Sequence, residues 1–132
     1  MHGLDDSLFN VIFSYTIKQA IEDGNLLDVT KQAKETGFKV PVAVSLNLYA
    51  NYITPPTGLE GEGQSIEGRL HDLFIMCMLA IQKQLNESRV NFKVLFLMKS
   101  QPRSLEEVEV VCQIGPDDDM KPCITLMLPE DD

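Results

Sequence analysis

The chain has no tryptophan, two histidines and three cysteines in 132 residues, and each scarcity removes a class of function. Cys77, Cys112 and Cys123 form an odd set with no Cys-x-x-Cys spacing. Dispersed in apolar or strand-like stretches, they read as three buried thiols in a reducing cytoplasm, not as a disulfide framework or a metal site. Long apolar runs are missing too. The longest, residues 73–81, is nine residues and too short to span a bilayer. The start, Met-His-Gly-Leu-Asp-Asp, is too acidic for a signal peptide. Basic side chains are also few, 11 Lys and Arg against 20 Asp and Glu, for a net charge of −9. Such a surface repels phosphate backbones and argues against direct nucleic-acid binding. It favours solubility, or docking on a basic surface. A cytoplasmic protein with no membrane segment is expected.

The remaining composition, 44% apolar and 23% charged, is that of an ordinary globular chain. Its length suits one domain, residues 1–132, with a core built from aliphatic residues, Met and Phe. The acidity is uneven. Residues 1–54 carry four basic and six acidic side chains, residues 55–132 seven and fourteen.

Thr16 with Gln19 three residues later has the form of a capping box, and Gly24 stands where a left-handed helix stop belongs. Leu26, Leu27 and Val29 return the chain to the core. Asp28 or Thr30 can cap a second short helix that Gly37 ends. Residues 41–44 are extended and apolar. Ser45 can cap a third helix, with Leu46, Tyr49, Ala50 and Ile53 on one face, closed by Pro55-Pro56. After a glycine-rich acidic loop, Ser65 can cap a long helix over residues 66–85. Residues 73–81 are apolar around its circumference, so the helix is expected to be covered on most sides, with its methionines as core filler. Three segments of period-two alternation follow, around 92–98, 108–114 and 124–128. The expected architecture is α+β, with short N-terminal helices and one long central helix packed on a C-terminal three-stranded antiparallel meander.

No arrangement of residues carries obvious chemistry. Glu67 and His71 are one helical turn apart, but no second histidine or cysteine completes a metal set. Asp117-Asp-Asp lacks the spacing of a calcium loop and reads as a solvated turn. The glycines at 58, 61 and 63 have no following Lys-Ser/Thr, and Glu60 and Glu62 would repel a phosphate. Arg69 is the lone cation of its helical turn and is expected to pair with Asp72, Glu67 or an acid of the first helices. Neither a cofactor nor a metal is implied.

The strings 14–30 (Ser-Tyr-Thr through Leu-Asp-Val-Thr), 36–44 (Thr-Gly-Phe-Lys-Val-Pro-Val-Ala-Val), 68–72 (Gly-Arg-Leu-His-Asp), 115–119 and 122–131 act together as a signature. With them the chain resembles an uncharacterised family of small bacterial proteins often carried on plasmids, phages and other mobile elements. The resemblance covers nearly the whole chain. It implies an accessory role and no catalytic residue, and it implies a packing position at His71, where the family pattern carries Trp.

Two readings follow. The first is a small acidic binding or regulatory protein without catalysis, which docks on a basic nucleic-acid-handling or defence protein. The second is a small-molecule binder or small enzyme, with a pocket between the first helices and the long helix. Candidate binding residues are Tyr15, Asp23, Asn25, Asp28, Arg69, His71 and Asp72. A homo-oligomer is a further option, formed through the outer sheet face where Leu95, Leu97, Val111 and Met127 would make an apolar patch.

Overall fold

Alternation of Val42 and Val44 against Ala43 sends the two valines into the core and leaves the alanine half-buried. That short strand is the key to the architecture. The computed structural model describes residues 20–59, 61–116 and 122–131. Tyr15, the capping box at Thr16 and the aspartate turn at 117–119 lie outside them. Five strands are described: β1 (Leu26–Asp28), β2 (Val42–Ser45), β3 (Arg89–Ser100), β4 (Arg103–Pro116) and β5 (Pro122–Met127). They form one mixed sheet in the order β1-β2-β5-β4-β3.

The expected three-stranded meander is therefore corrected to a five-stranded mixed sheet. β3, β4 and β5 do pair antiparallel in sequence order, but β5 is not an edge. It takes β2 in parallel, with Val42 opposite Ile124 and Val44 opposite Leu126. β1 in turn pairs antiparallel with β2, Leu27 opposite Val44. The pairing was hidden because β1 is three residues and β2 four, too short for a period to declare itself. Pro41 fits the start of β2, where a missing N–H costs nothing and its carbonyl accepts from the Ile124 N–H at 2.9 Å.

Short helices and one longer helix pack against this sheet. α1 (Thr30–Thr36) begins where the Asp28 carboxylate accepts from the Thr30 N–H (3.0 Å) and hydroxyl (2.6 Å). It ends at Gly37, whose φ of +121° is closed to other residues. The N–H groups of Gly37 and Phe38 then satisfy the last carbonyls, both reaching Ala33. Gly24, at φ +81°, ends the preceding helical turn in the same way, with the Asn25 N–H on the Ala20 carbonyl at 2.8 Å.

α2 (Leu46–Leu48) is capped by Ser45, whose hydroxyl accepts from the Leu48 N–H at 3.1 Å. It runs directly into a π-helical turn, Tyr49–Ile53, closed by a Thr54-to-Tyr49 hydrogen bond of 2.8 Å. This i→i−5 turn shifts the phase expected of a regular helix. Leu48 and Ile53 are buried, whereas Leu46 and Ala50 face solvent.

α3 (Ile66–Lys83) is capped by Ser65, which accepts from the Gly68 N–H at 3.0 Å. Leu70, Leu73, Phe74, Cys77 and Ala80 form its buried face. They pack on Val90, Phe92, Val94, Val110, Cys112 and Leu126 of the sheet. Each leucine, valine and phenylalanine among them contributes about 1.5–3 kcal/mol on burial. The expectation that α3 is covered on most sides is corrected. Ile75, Met76 and Leu79 stay exposed, Leu79 by 47%, because one sheet and one short helix cover only part of its circumference.

Candidate functional site

The structure disperses the residues that the sequence nominated. Asp23 and Asn25 sit in the turn that leaves the first helical segment, and Asp28 is exposed at the head of α1. Arg69 turns into the core, while His71 and Asp72 face solvent on α3. Among the described residues Asp23, Asp28, Arg69, His71 and Asp72 do not meet in one pocket, and Tyr15, the sixth residue expected there, lies outside them. Three separate places carry the polar and apolar features of interest instead.

The first surrounds Arg69, which is only 3% exposed. Its Nε donates to Gln64 Oε1 at 3.0 Å and its Nη1 to the Tyr52 carbonyl at 2.7 Å. Nη2 donates to the Leu97 carbonyl of β3. The guanidinium lies 5.4 Å from the centre of the Phe96 ring, on which Tyr52 stacks at 5.7 Å. Burial pulls the Arg69 pKa down, and Asp72 works against that shift. The expected ion pair with Asp72 or Glu67 is corrected. Among the described residues Arg69 hydrogen-bonds no carboxylate, but ties the end of the π-helical turn, the loop before α3 and β3 together. A cation at the carbonyl end of a helical turn is the favourable polarity. The Tyr52 hydroxyl donates to Glu106 at 2.7 Å, and that bond to a carboxylate pushes its pKa up.

The second place is the end of the chain. Asp131 accepts from the Ser45 hydroxyl (2.7 Å), the Asn47 amide (2.7 Å) and the Leu128 N–H (3.0 Å). Burial opposes the charge, but the three donors outweigh it and hold the carboxyl below its usual range. A cavity of about 300 Å³ lies alongside, lined by Asn25, Leu26, Ser45, Asn47, Met127 and Asp131 among others.

The third is a groove of about 490 Å³ between α3 and the edge strand β3. Ile75, Met76, Val94 and Leu95 give it an apolar lining, and His71, Asp72, Lys93 and Glu107 its polar rim. His71 Nδ1 and Asp72 Oδ1 are 3.9 Å apart, and Lys93 lies 3.7 Å from Glu107. Leu95 is 60% exposed and Met76 39%, large values for such side chains. Of the sequence candidates, His71 and Asp72 alone line this groove. The other lining residues were missed, although one signal existed: a helix apolar all round, in a chain with few elements to cover it, must leave part of that surface open.

The outer sheet face does not carry the expected patch. Leu97, Val111 and Met127 are buried within the protomer, and Leu95 alone of the four is open. Cys77, Cys112 and Cys123 are buried and none is in a disulfide. The Cys77 thiol donates to Cys112 at 3.7 Å, and that bond together with burial pushes its pKa up. Among the described residues no group of three or more His, Cys, Asp or Glu side chains is placed to hold a metal ion. No helix among them is long and apolar enough to cross a membrane.

The chain matches the model of a family of unknown function, DUF6573, over residues 7–132, and it belongs to that family. No curated protein and no solved structure matches it.

Proposed function

We propose that this chain is a small, acidic, non-catalytic binding or regulatory protein that docks on a basic protein partner through the groove between α3 and β3. The observation that carries the reading is the groove's composition: exposed Ile75, Met76 and Leu95 beside polar side chains that water already solvates. Apolar side chains held open on the surface of a folded domain gain free energy when a partner covers them. The net charge of −9 supports a basic partner, such as a nucleic-acid-handling or defence protein, and would speed the encounter with it. Its place is the cytoplasm, where three reduced thiols persist, as an accessory protein of a bacterial mobile element. The sequence resemblance supports that setting.

The test is a pull-down at low salt with wild-type and Met76→Glu baits, followed by titration of each recovered protein in purified form. The expected partner is basic, binds more weakly as salt rises, and loses affinity for the variant. Recovery of no salt-sensitive partner, or equal affinity for both baits, overturns the reading. A small-molecule site would have the polar cavity beside Asp131 as its place. Ligand-dependent stabilisation in a thermal-shift screen of nucleotides and metals, lost in Asn47→Ala, would favour that alternative.

A further inference from the structure

β3 ends the sheet, and among the described residues it pairs on one side only, with β4. Two hydrogen bonds fix which of its backbone groups face outward. The Ser88 carbonyl, just before the strand, accepts from the Ile114 N–H of β4 at 2.8 Å. The Leu97 carbonyl accepts instead from the Arg69 guanidinium, away from β4. Backbone groups of alternate residues in a strand point to the same side. Val90, Phe92, Val94 and Phe96 therefore share the phase of Ser88 and bond to β4. Asn91, Lys93 and Leu95 share the phase of Leu97, and present their N–H and C=O groups at the open edge. The apolar groove lies beside this stretch, with Ile75 and Met76 of α3 on its far wall.

We propose that an extended segment of the partner adds to β3 as a sixth strand. Its backbone pairs with Asn91, Lys93 and Leu95, and alternate side chains enter the groove against Ile75, Met76 and Val94. This rests on the groove being the contact surface, and adds how it is engaged. Asn91 to Leu95 spans about 16 Å, so a segment of about five to seven residues suffices. Alternation in the added strand puts every second side chain in the groove and the others toward Lys93 and Leu95.

Charge selects the occupant. Lys93 is held by Glu107 at 3.7 Å, which leaves Asp72 as acidic excess on the rim of a strongly acidic chain. The segment is thus apolar at the alternate positions that enter the groove, carries Lys or Arg where it ends beside Asp72, and sets uncharged side chains toward Lys93 and Leu95. A second copy of this chain is a poor occupant. β3 carries Arg89, Lys93 and Lys99 and no acidic residue, so two β3 edges would set like charges together.

A displayed library of random heptapeptides, selected on the full chain at low salt, tests this. Sequences that are apolar at alternate positions and carry a terminal Lys or Arg are expected to enrich; no enrichment, or enrichment of acidic sequences, overturns the proposal. The best peptide is then synthesised with N-methyl groups at alternate amides, in two phases. Methylation in the phase that faces β3 should weaken binding at least about tenfold and the other phase much less, because a methyl group removes the donor and blocks strand pairing. Met76→Glu should weaken the unmodified peptide at least about tenfold, since it sets an unpaired charge against the bound apolar side chain. Equal effects of the two phases, with Met76→Glu still damaging, would leave the groove as the contact surface but remove strand addition. Insensitivity to both would remove the groove as well. A stable dimer at micromolar concentration, lost when the peptide binds, would make the second copy the occupant and also overturn the proposal.

Discussion

Replacing Arg69 by methionine isolates what the buried guanidinium does. The unbranched stem still fills the space beside Phe96, but every donor is gone. The carbonyls of Tyr52 and Leu97 remain where they are, because the π-helical turn and β3 hold them. A buried acceptor left without a partner costs about 1–3 kcal/mol. The Gln64 amide is exposed and turns to water, so its loss is small. The lost contact with Phe96 adds about 0.5–1 kcal/mol. Against these stands relief from holding a charge out of water, the same burial that lowers the Arg69 pKa. The balance is a loss of about 2–4 kcal/mol, from a total of about 5–15. Urea melts followed by circular dichroism should show the midpoint falling by about 1–2 M with an unchanged slope. The melting temperature should fall by about 6–20 °C. Arg69→Lys should recover little, because one ammonium cannot reach three acceptors in the plane that a guanidinium spans. A Met variant within about 0.5 kcal/mol of wild type, or more stable, would refute the reasoning, since desolvation would then outweigh the hydrogen bonds.

Gly37→Ala should destabilise by about 1–2 kcal/mol through backbone strain alone, and the new Cβ would also meet Met78 Cε at 3.1 Å. Gly24→Ala, with nothing within 4 Å, should cost less; equal melting curves for the two would show that Met78 yields freely. Ser45→Ala removes both the α2 cap and a donor to Asp131, and should cost about 1–2 kcal/mol in chemical denaturation. The folded pKa of Asp131 lies below its unfolded value near 4, so its contribution is complete above about pH 4 and is lost as pH falls through the folded value. A stability profile from pH 6 to 2 should therefore fall less steeply in Asp131→Asn; identical slopes would rule out that linkage. Cys77 and Cys112 should react with a thiol reagent only as fast as the protein opens, and a rapid phase in native buffer would contradict their burial.

Legibility followed the range of the interactions. Features that depend on neighbours a few residues away were readable: the caps at Ser45 and Ser65, and the stops at Gly24 and Gly37. The inward alternation of Phe92, Val94 and Phe96 was readable for the same reason, as one face of a half-buried strand. The parallel pairing of Val42 with Ile124 was not, because four residues hold no period and their partner is 82 positions away. The Arg69 cradle was equally hidden. Its acceptors are main-chain carbonyls, which every residue possesses, so no side-chain type announces them. The apolar excess of α3 was visible in the sequence, yet which part stays open depends on where β3 ends the sheet.

The central position of β5 sets the order in which the fold can be completed. During synthesis β1 and β2 emerge first and β5 last of the described strands, yet β5 alone joins the β1–β2 pair to β4. Until it arrives, Val42 and Val44 have no neighbour in the sheet except β1. A truncation that removes residues 122–131 would not trim a tail. It would split the sheet in two and leave the first third of the chain tied to the last only through α3. Tags and fusions should therefore be judged by whether β5 still reaches its slot, and a stalled or nicked chain that lacks it will behave as a substrate for quality control.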